Sequence, residues 1–156
     1  MDANRDFDDA ARLSHLLWEV SARVSTVTDI ALADSPLTPA SSGLLDAVGA
    51  NPGTSIAALA RWLPTSQQGI SQIVGRLERL GYLTRTLGPR GHGIALHIPP
   101  EGESARRDAN QRLQDADRHL AQLIGQQPHD DLVDLLRHAR GILENAAADS
   151  SAVPMR

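Results

Sequence analysis

Residues 55–98 read SIAALARWLPTSQQGISQIVGRLERLGYLTRTLGPRGHGIALHI. Ile56, Leu59, Ala60 and Leu63 recur at helical spacing, and Thr54 or Ser55 can cap that helix. Pro64-Thr65 makes a turn. Ser66 can cap a second helix, whose inner face is Ile70, Ile73, Val74, Leu77 and Leu80. Gly81 suits the left-handed position just past a helix end. The period then drops from 3.6 to 2. Leu83, Arg85 and Leu87 alternate with Tyr82, Thr84 and Thr86; beyond a loose tip at 88–93, Ile94, Leu96 and Ile98 alternate with Ala95 and His97. Helix, turn, helix and hairpin, in that order, predict a winged helix-turn-helix, a module whose second helix is built to lie in a DNA major groove.

The flanks are helical. Leu13, Leu16, Leu17, Val20, Val24, Val27 and Ala31 form an apolar stripe in a helix that starts near Phe7. Residues 33–36 break it. Thr38-Pro39 restarts a helix, with Thr as N-cap, Pro at the first helical position, and Leu44, Leu45 and Val48 buried. Asn51-Pro52-Gly53 is a turn. After the hairpin, Pro99-Pro100-Glu101-Gly102-Glu103 opens a helix with acids in its first turn. Leu113, Ala116, Leu120, Leu123 and Ile124 are its stripe. Residues 125–129 are a break. A last helix carries Leu132, Leu135, Leu136, Ala139, Ile142 and Leu143. The fold class is mainly α with a small β-hairpin wing. Its expected parts are a winged helix-turn-helix DNA-binding lobe at 38–98, a helical dimerisation region at 7–34 and 100–148, and a disordered tail at 149–156.

The apolar share is 41% and aromatics are only 3%, so the core must be Leu, Ile, Val and Ala. There is no Cys, which excludes disulfides, thiolate zinc sites and cysteine nucleophiles. No apolar run reaches about eighteen residues, so neither a signal peptide nor a membrane span is read, and a soluble cytoplasmic protein is expected. The net charge of −4 is hostile to nucleic acid, but its distribution is not. Between Thr54 and His97 five arginines (61, 76, 79, 85 and 90) face Glu78 alone, a net +4 that leaves −8 for the rest of the chain. Phosphate binding needs a local positive face, not a basic whole.

The solvent side of the 66–80 helix shows Ser66, Gln67, Gln68, Ser71, Gln72, Arg76 and Arg79. Gln pairs bidentately with adenine N6 and N7, and Ser with several base edges. Arginines at the far end suit phosphates, which position rather than specify. The same side chains also occur on ordinary solvated faces, so the flanking helix, turn and hairpin carry the DNA reading. Gly69 permits close approach either to bases or to a neighbouring helix. Glu78 is expected to pair within its helix with an arginine. Arg85 on the first strand, with Arg90 and His92 at the tip, completes the candidate DNA contacts, the tip as a minor-groove probe or an incidental loop.

The run Leu59-Ala60, Leu63, Ser66, Ile70-Ser71-Gln72-Ile73-Val74, Arg76-Leu77-Glu78, Gly81-Tyr82-Leu83, Arg85 resembles the MarR family of bacterial transcriptional regulators. The resemblance extends from about Leu13 to Leu143, through Leu37-Thr38-Pro39, Leu44-Leu45 and Pro100-Glu101-Gly102. It implies a homodimer on double-stranded DNA with a palindromic operator, usually a repressor, often released by a small aromatic ligand. In the family the wing tip usually carries Asp-Arg-Arg. Here Pro89-Arg90-Gly91-His92-Gly93 stands there, about one residue shorter and without the Asp. The family's ligand pocket lies between dimer helices and DNA-binding lobe, which makes His15, Trp18, Arg23 and Trp62 candidate ligand contacts. The alternative to a DNA regulator is a protein-interaction or dimer scaffold whose winged helix no longer binds DNA, and the alternative to a dimer is a monomeric bundle. No cofactor is expected. The six histidines (15, 92, 97, 119, 129, 138) include no HxxxH pair, so no metal site is assigned, and Asp130, Asp131 and Asp134 read as a helix start plus a solvated face. No phosphate loop, Ser-His-Asp set or nucleophile elbow is present, so no enzyme is expected.

Overall fold

The structure, a computed structural model, describes residues 12–63, 65–87 and 93–151. Six helices and one hairpin follow in order: α1 Leu13–Ala31, α2 Pro39–Ala50, α3 Ile56–Trp62, α4 Gln67–Arg79, β1 Thr84–Leu87, β2 Ile94–His97, α5 Pro100–Ile124 and α6 Gln126–Ser151. The chain divides into two compact units, 1–116 and 117–156, with the boundary inside α5.

Three helix starts in the first unit are set by hydroxyls. Thr38 caps α2: its side chain accepts from Ser41 N, and the Ser41 hydroxyl in turn accepts from Thr38 N at 2.8 Å. Ser55 caps α3 through Ala58 N at 3.2 Å, and Ser66 caps α4 through Gly69 N at 3.1 Å. Each such cap satisfies an otherwise orphaned donor and stabilises by about 1 kcal/mol. α4 ends in a Schellman turn. Gly81 takes φ +72°, Gly81 N donates to Glu78 O at 3.0 Å, and Tyr82 N donates to Leu77 O at 2.9 Å. Leu80, expected on the inner face, is instead half exposed, because it is the C-cap residue where the helical stripe has already ended.

β1 and β2 pair antiparallel, with Thr84 opposite His97 and Leu87 opposite Ile94. The free edge of β2 is also used: Gly53 N donates to Leu96 O and Leu96 N to Thr54 O, at 3.0 and 2.8 Å. The turn between α2 and α3 is thereby fastened to the hairpin. The core lies under α2, α3 and α4, closed by β2: Leu37, Leu44, Leu45, Val48, Leu59, Ile70, Val74, Leu77, Leu83 and Leu96 are all 2% exposed or less. Each such side chain contributes about 2 kcal/mol of burial. Ala109 of α5 joins them.

α1 contributes no buried side chain; its apolar stripe, including Leu13, Leu16, Leu17 and Val20, stays exposed. The start of the helix expected near Phe7 falls outside the described residues.

In the second unit only Gly125, at φ +97°, separates α5 from α6, so the break expected over 125–129 is narrower. α6 runs on to Ser151, three residues into the segment expected as a tail. Pro128 fits because it lies in the first turn, where a missing N–H costs nothing. His129 places both ring nitrogens against carboxylates, Nδ1 at 3.1 Å from Asp130 and Nε2 at 3.2 Å from Asp117. The Asp130 hydrogen bond, with the Asp117 bond adding to it, raises the imidazole's pKa above the ordinary value. Leu123, Leu135, Ile142 and Leu143 are exposed here. No helix among the described residues is long and apolar enough to cross a membrane.

Candidate nucleic-acid interface

α4 is held by its buried Ile70, Val74 and Leu77, so its opposite face points outward. Gln67, Gln68, Gln72, Arg76 and Arg79 are exposed there, with Ser71 half-buried. The two serines are already partly used. Ser66 Oγ accepts from Gly69 N and keeps its own proton to give. Ser71 Oγ donates to Gln67 O at 2.9 Å, so toward any further partner it can only accept. The three glutamines present both a donor and an acceptor each. Gly69 makes room for the turn: a Cβ there would come within 2.8 Å of Thr65 Cγ2. Its close approach is therefore to its own preceding turn.

The arginines are tied down more than their spacing suggested. Arg76 donates to Pro36 O at 3.1 Å, forty residues away in sequence. Arg79 Nε donates to Gly75 O at 3.3 Å. Glu78 does not pair within its helix. Its Oε1 meets Arg85 Nε on β1 at 2.8 Å. Arg79 is one residue on and turned away, whereas β1 returns over the end of α4 after the Gly81 turn. The pair joins the root of the hairpin to the last turn of α4. Beyond it Leu87 and Ile94, opposite each other, are exposed at the hairpin's neck. Arg90 and His92 lie outside the described residues.

Sequence reasoning missed a second network, on the far side of the core. Arg106 Nη1 meets Asp46 Oδ1 at 3.1 Å, while Nε and Nη2 both meet Glu103 Oε2, at 3.0 and 2.9 Å. Asn110 Nδ2 adds 2.8 Å to the same Asp46 oxygen. Hydrogen bonds to Glu103 and then Asp46 raise the guanidinium's pKa, fixing its charge. The spacing of Glu103, Arg106 and Asn110 at three and four places them on one face of α5, and that was the available signal. The network clamps α2 to the start of α5.

Of the four candidate ligand residues, two are in contact with each other on α1. His15 and Trp18 stack at 5.9 Å on α1, where Trp18 is 66% exposed, and Arg23 turns back to Glu19 O at 3.1 Å. The Trp62 side chain lies outside the described residues. A small cleft in the first unit is elsewhere, lined by Val48, Gly49, Pro52, His97, Ile98 and Glu103. Among the described residues no cluster of His, Asp or Glu could hold a metal ion.

A capped α3–turn–α4 pair, an outward polar helix and an antiparallel hairpin braced against it form a winged helix-turn-helix. A family model described as MarR family matches residues 35–93, which spans α2 to the hairpin. Residues 35–93 are a MarR-family segment. No curated protein matches the chain by sequence. Solved structures match it over most of its length. A transcriptional repressor, CouR, bound to a 23-mer DNA duplex, superposes with a TM-score of 0.78 at 24% identity, over 83% of this chain and 92% of that one. The Mycobacterium tuberculosis MarR-family protein Rv2887 in complex with DNA gives 0.70 at 22%, over 83% and 98%. The Bordetella bronchiseptica BpsR, whose DNA binding is regulated by 6-hydroxynicotinic acid, gives 0.76 at 17%, over 84% and 94%. The MarR-family fold thus continues on both sides of the matched segment, into α1, α5 and α6.

Proposed function

We propose that this chain is a DNA-binding transcriptional regulator that acts as a repressor, sits as a homodimer on a palindromic operator, and is released by a small aromatic ligand. The observation that carries the reading is the outer face of α4 in a lobe matched by the MarR family model: exposed Gln67, Gln68 and Gln72 followed by Arg79. The amides read base edges in the major groove, with Ser71 accepting from an exocyclic amine. Arg79 serves phosphate, Arg90 and His92 extend the contact along the wing, and Arg85 beside them is held by Glu78. The exposed apolar stripes of α1 and α6 are covered by a second copy, so that 7–34 and 100–148 make the dimerisation region of a cytoplasmic protein. The similar proteins bound to a DNA duplex and regulated by 6-hydroxynicotinic acid support the DNA and ligand assignments. His15, Trp18, Arg23 and Trp62 remain the residues to probe for the ligand, by tryptophan fluorescence against a panel of aromatic acids.

The test is binding to duplex DNA across a salt series, with operators selected from a random pool. Log affinity falls linearly with log salt, by about 0.9 for each phosphate contacted. Gln72→Ala lowers discrimination at one position of each half-site by roughly 1–3 kcal/mol and leaves the salt slope unchanged. No retarded band at low salt overturns the DNA reading and leaves the scaffold alternative.

Glu78→Gln releases Arg85 from its 2.8 Å pair. The expected result is tighter binding to random-sequence duplex, with a salt slope steeper by up to about 0.9, the freed guanidinium serving as one more phosphate contact. Fold stability changes little, because a half-exposed pair of this kind is worth about 0.2–1 kcal/mol. An unchanged slope in random duplex means that Arg85 is not poised over phosphate.

A further inference from the structure

We propose that Arg76 is a positioning residue for the recognition helix, not a phosphate contact. It acts by gripping the peptide between Pro36 and Leu37 and so fixing the rotation of α4 about its own axis. The inference rests on the DNA-binding reading above and gives Arg76 a role other than the phosphate contact that its place in the sequence suggests.

The grip has an unusual anchor. The carbonyl of that peptide accepts from Arg76 Nη2 at 3.1 Å, while its N–H donates to Ser35 Oγ at 3.1 Å. Both ends of one peptide plane are therefore held. The plane lies between two core residues, Leu32 and Leu37, 3% and 2% exposed. Ser35 N donates to Leu32 O at 2.9 Å and closes the turn that follows α1. Pro36 also removes backbone freedom at φ. The carbonyl is thus a rigid acceptor, with no need for a charged partner other than to hold something.

What it holds is the readout face. Gln72 precedes Arg76 by four residues, one turn along the same side of α4. The core side chains Ile70, Val74 and Leu77 fix how far α4 lies from its neighbours and oppose an axial roll from the inner face. A tether on the outer face resists it well. Bidentate amide–adenine pairs need their geometry preserved, so a roll of α4 weakens base contacts while leaving phosphate contacts nearly untouched. Arg76 thereby links α4 to the turn between α1 and α2.

The two roles predict different numbers. In Arg76→Ala, positioning predicts about tenfold weaker binding to a selected operator, unchanged binding to random duplex and an unchanged salt slope. A phosphate contact predicts that both affinities fall together and that the slope loses about 0.9. Arg76→Gln removes the same charge but keeps an amide donor, and is expected to recover part of the operator affinity at the wild-type slope. Thermal unfolding of both variants confirms an intact fold, which the exposure of Arg76 favours. A slope reduced by about one in both variants, with operator and random duplex weakened alike, overturns the proposal. Absence of duplex binding by the wild-type chain is a different result: it overturns the DNA reading, and the positioning role falls with it.

Discussion

Gly102→Ala is expected to lower the melting temperature by roughly 10 °C, the consequence of about 3 kcal/mol of overpacking in a domain of this size. Gly102 is buried at the start of α5. A Cβ there would run into the Tyr82 carbonyl oxygen and come within 2.8 Å of Ile98 Cγ2. Neither neighbour can retreat cheaply. The Tyr82 carbonyl is one residue's backbone away from the Tyr82 N–H that makes the Schellman bond to Leu77 O and ahead of the buried Leu83, and Ile98 packs against the core. The new methyl must therefore displace α5 from the root of the hairpin or open the end of α4. Operator affinity is expected to fall with stability, because both of these elements carry the proposed DNA contacts. Gly43→Ala is the matching control. It lies in α2 with nothing within 4 Å of the added Cβ, so relief of glycine's entropic cost should raise stability by about 0.5–1 kcal/mol. Circular-dichroism melts of both variants check the pair. An unchanged melting temperature for Gly102→Ala means that α5 does not bear on Tyr82 as closely as described.

The difference between those two glycines marks what the sequence could and could not carry. Gly81 was legible, since a glycine one step past a strong helical stripe, before a period of two, has a single good explanation, and its φ is +72°. Gly102 was legible only as part of a helix start. Nothing local tells that a carbonyl twenty residues earlier presses on it. The same boundary runs through the charges. Local periodicity placed Glu78 and Arg76 correctly on the outside of α4, but it suggested helical neighbours for Glu78. The partner is Arg85, brought over by a chain reversal at Gly81, and Arg76 reaches back to Pro36. Caps at Thr38, Ser55 and Ser66 were readable because capping is a four-residue event. The Asp46–Arg106–Asn110 network was not, because its halves lie sixty residues apart. The glutamines of α4 fall between these cases: their exposure follows from the stripe opposite them, whereas the loss of the Ser71 proton to Gln67 O appears only in the structure.

The largest effect on function is expected from two charges on α1, Leu16→Glu with Leu17→Glu. Neither side chain contributes to the folded core of the first unit, since α1 buries none of its residues there. Yet Leu13, Leu16, Leu17 and Val20 form one stripe, and an amphipathic helix with an uncovered stripe this wide needs a partner surface. If a second copy covers it, the interface is self-complementary and each substitution enters twice. Burying those leucines is worth about 1.5–3 kcal/mol apiece, and four carboxylates in their place cannot be desolvated together. The doubly substituted chain should then elute in light scattering near its own 16.7 kDa, where the wild type is expected at twice that mass. Loss of the second lobe also removes the second half-site. Two linked modules gain about 10²–10⁴-fold over one, so operator affinity should fall by that order while a single lobe still binds weakly and with a shallower salt slope. Leu135→Glu with Leu136→Glu on α6 provides an independent arm, as that helix is similarly exposed in the second unit. A wild-type chain that is monomeric at micromolar concentration, or an α1 variant that keeps both its mass and its operator affinity, removes the second copy as the cover for this stripe.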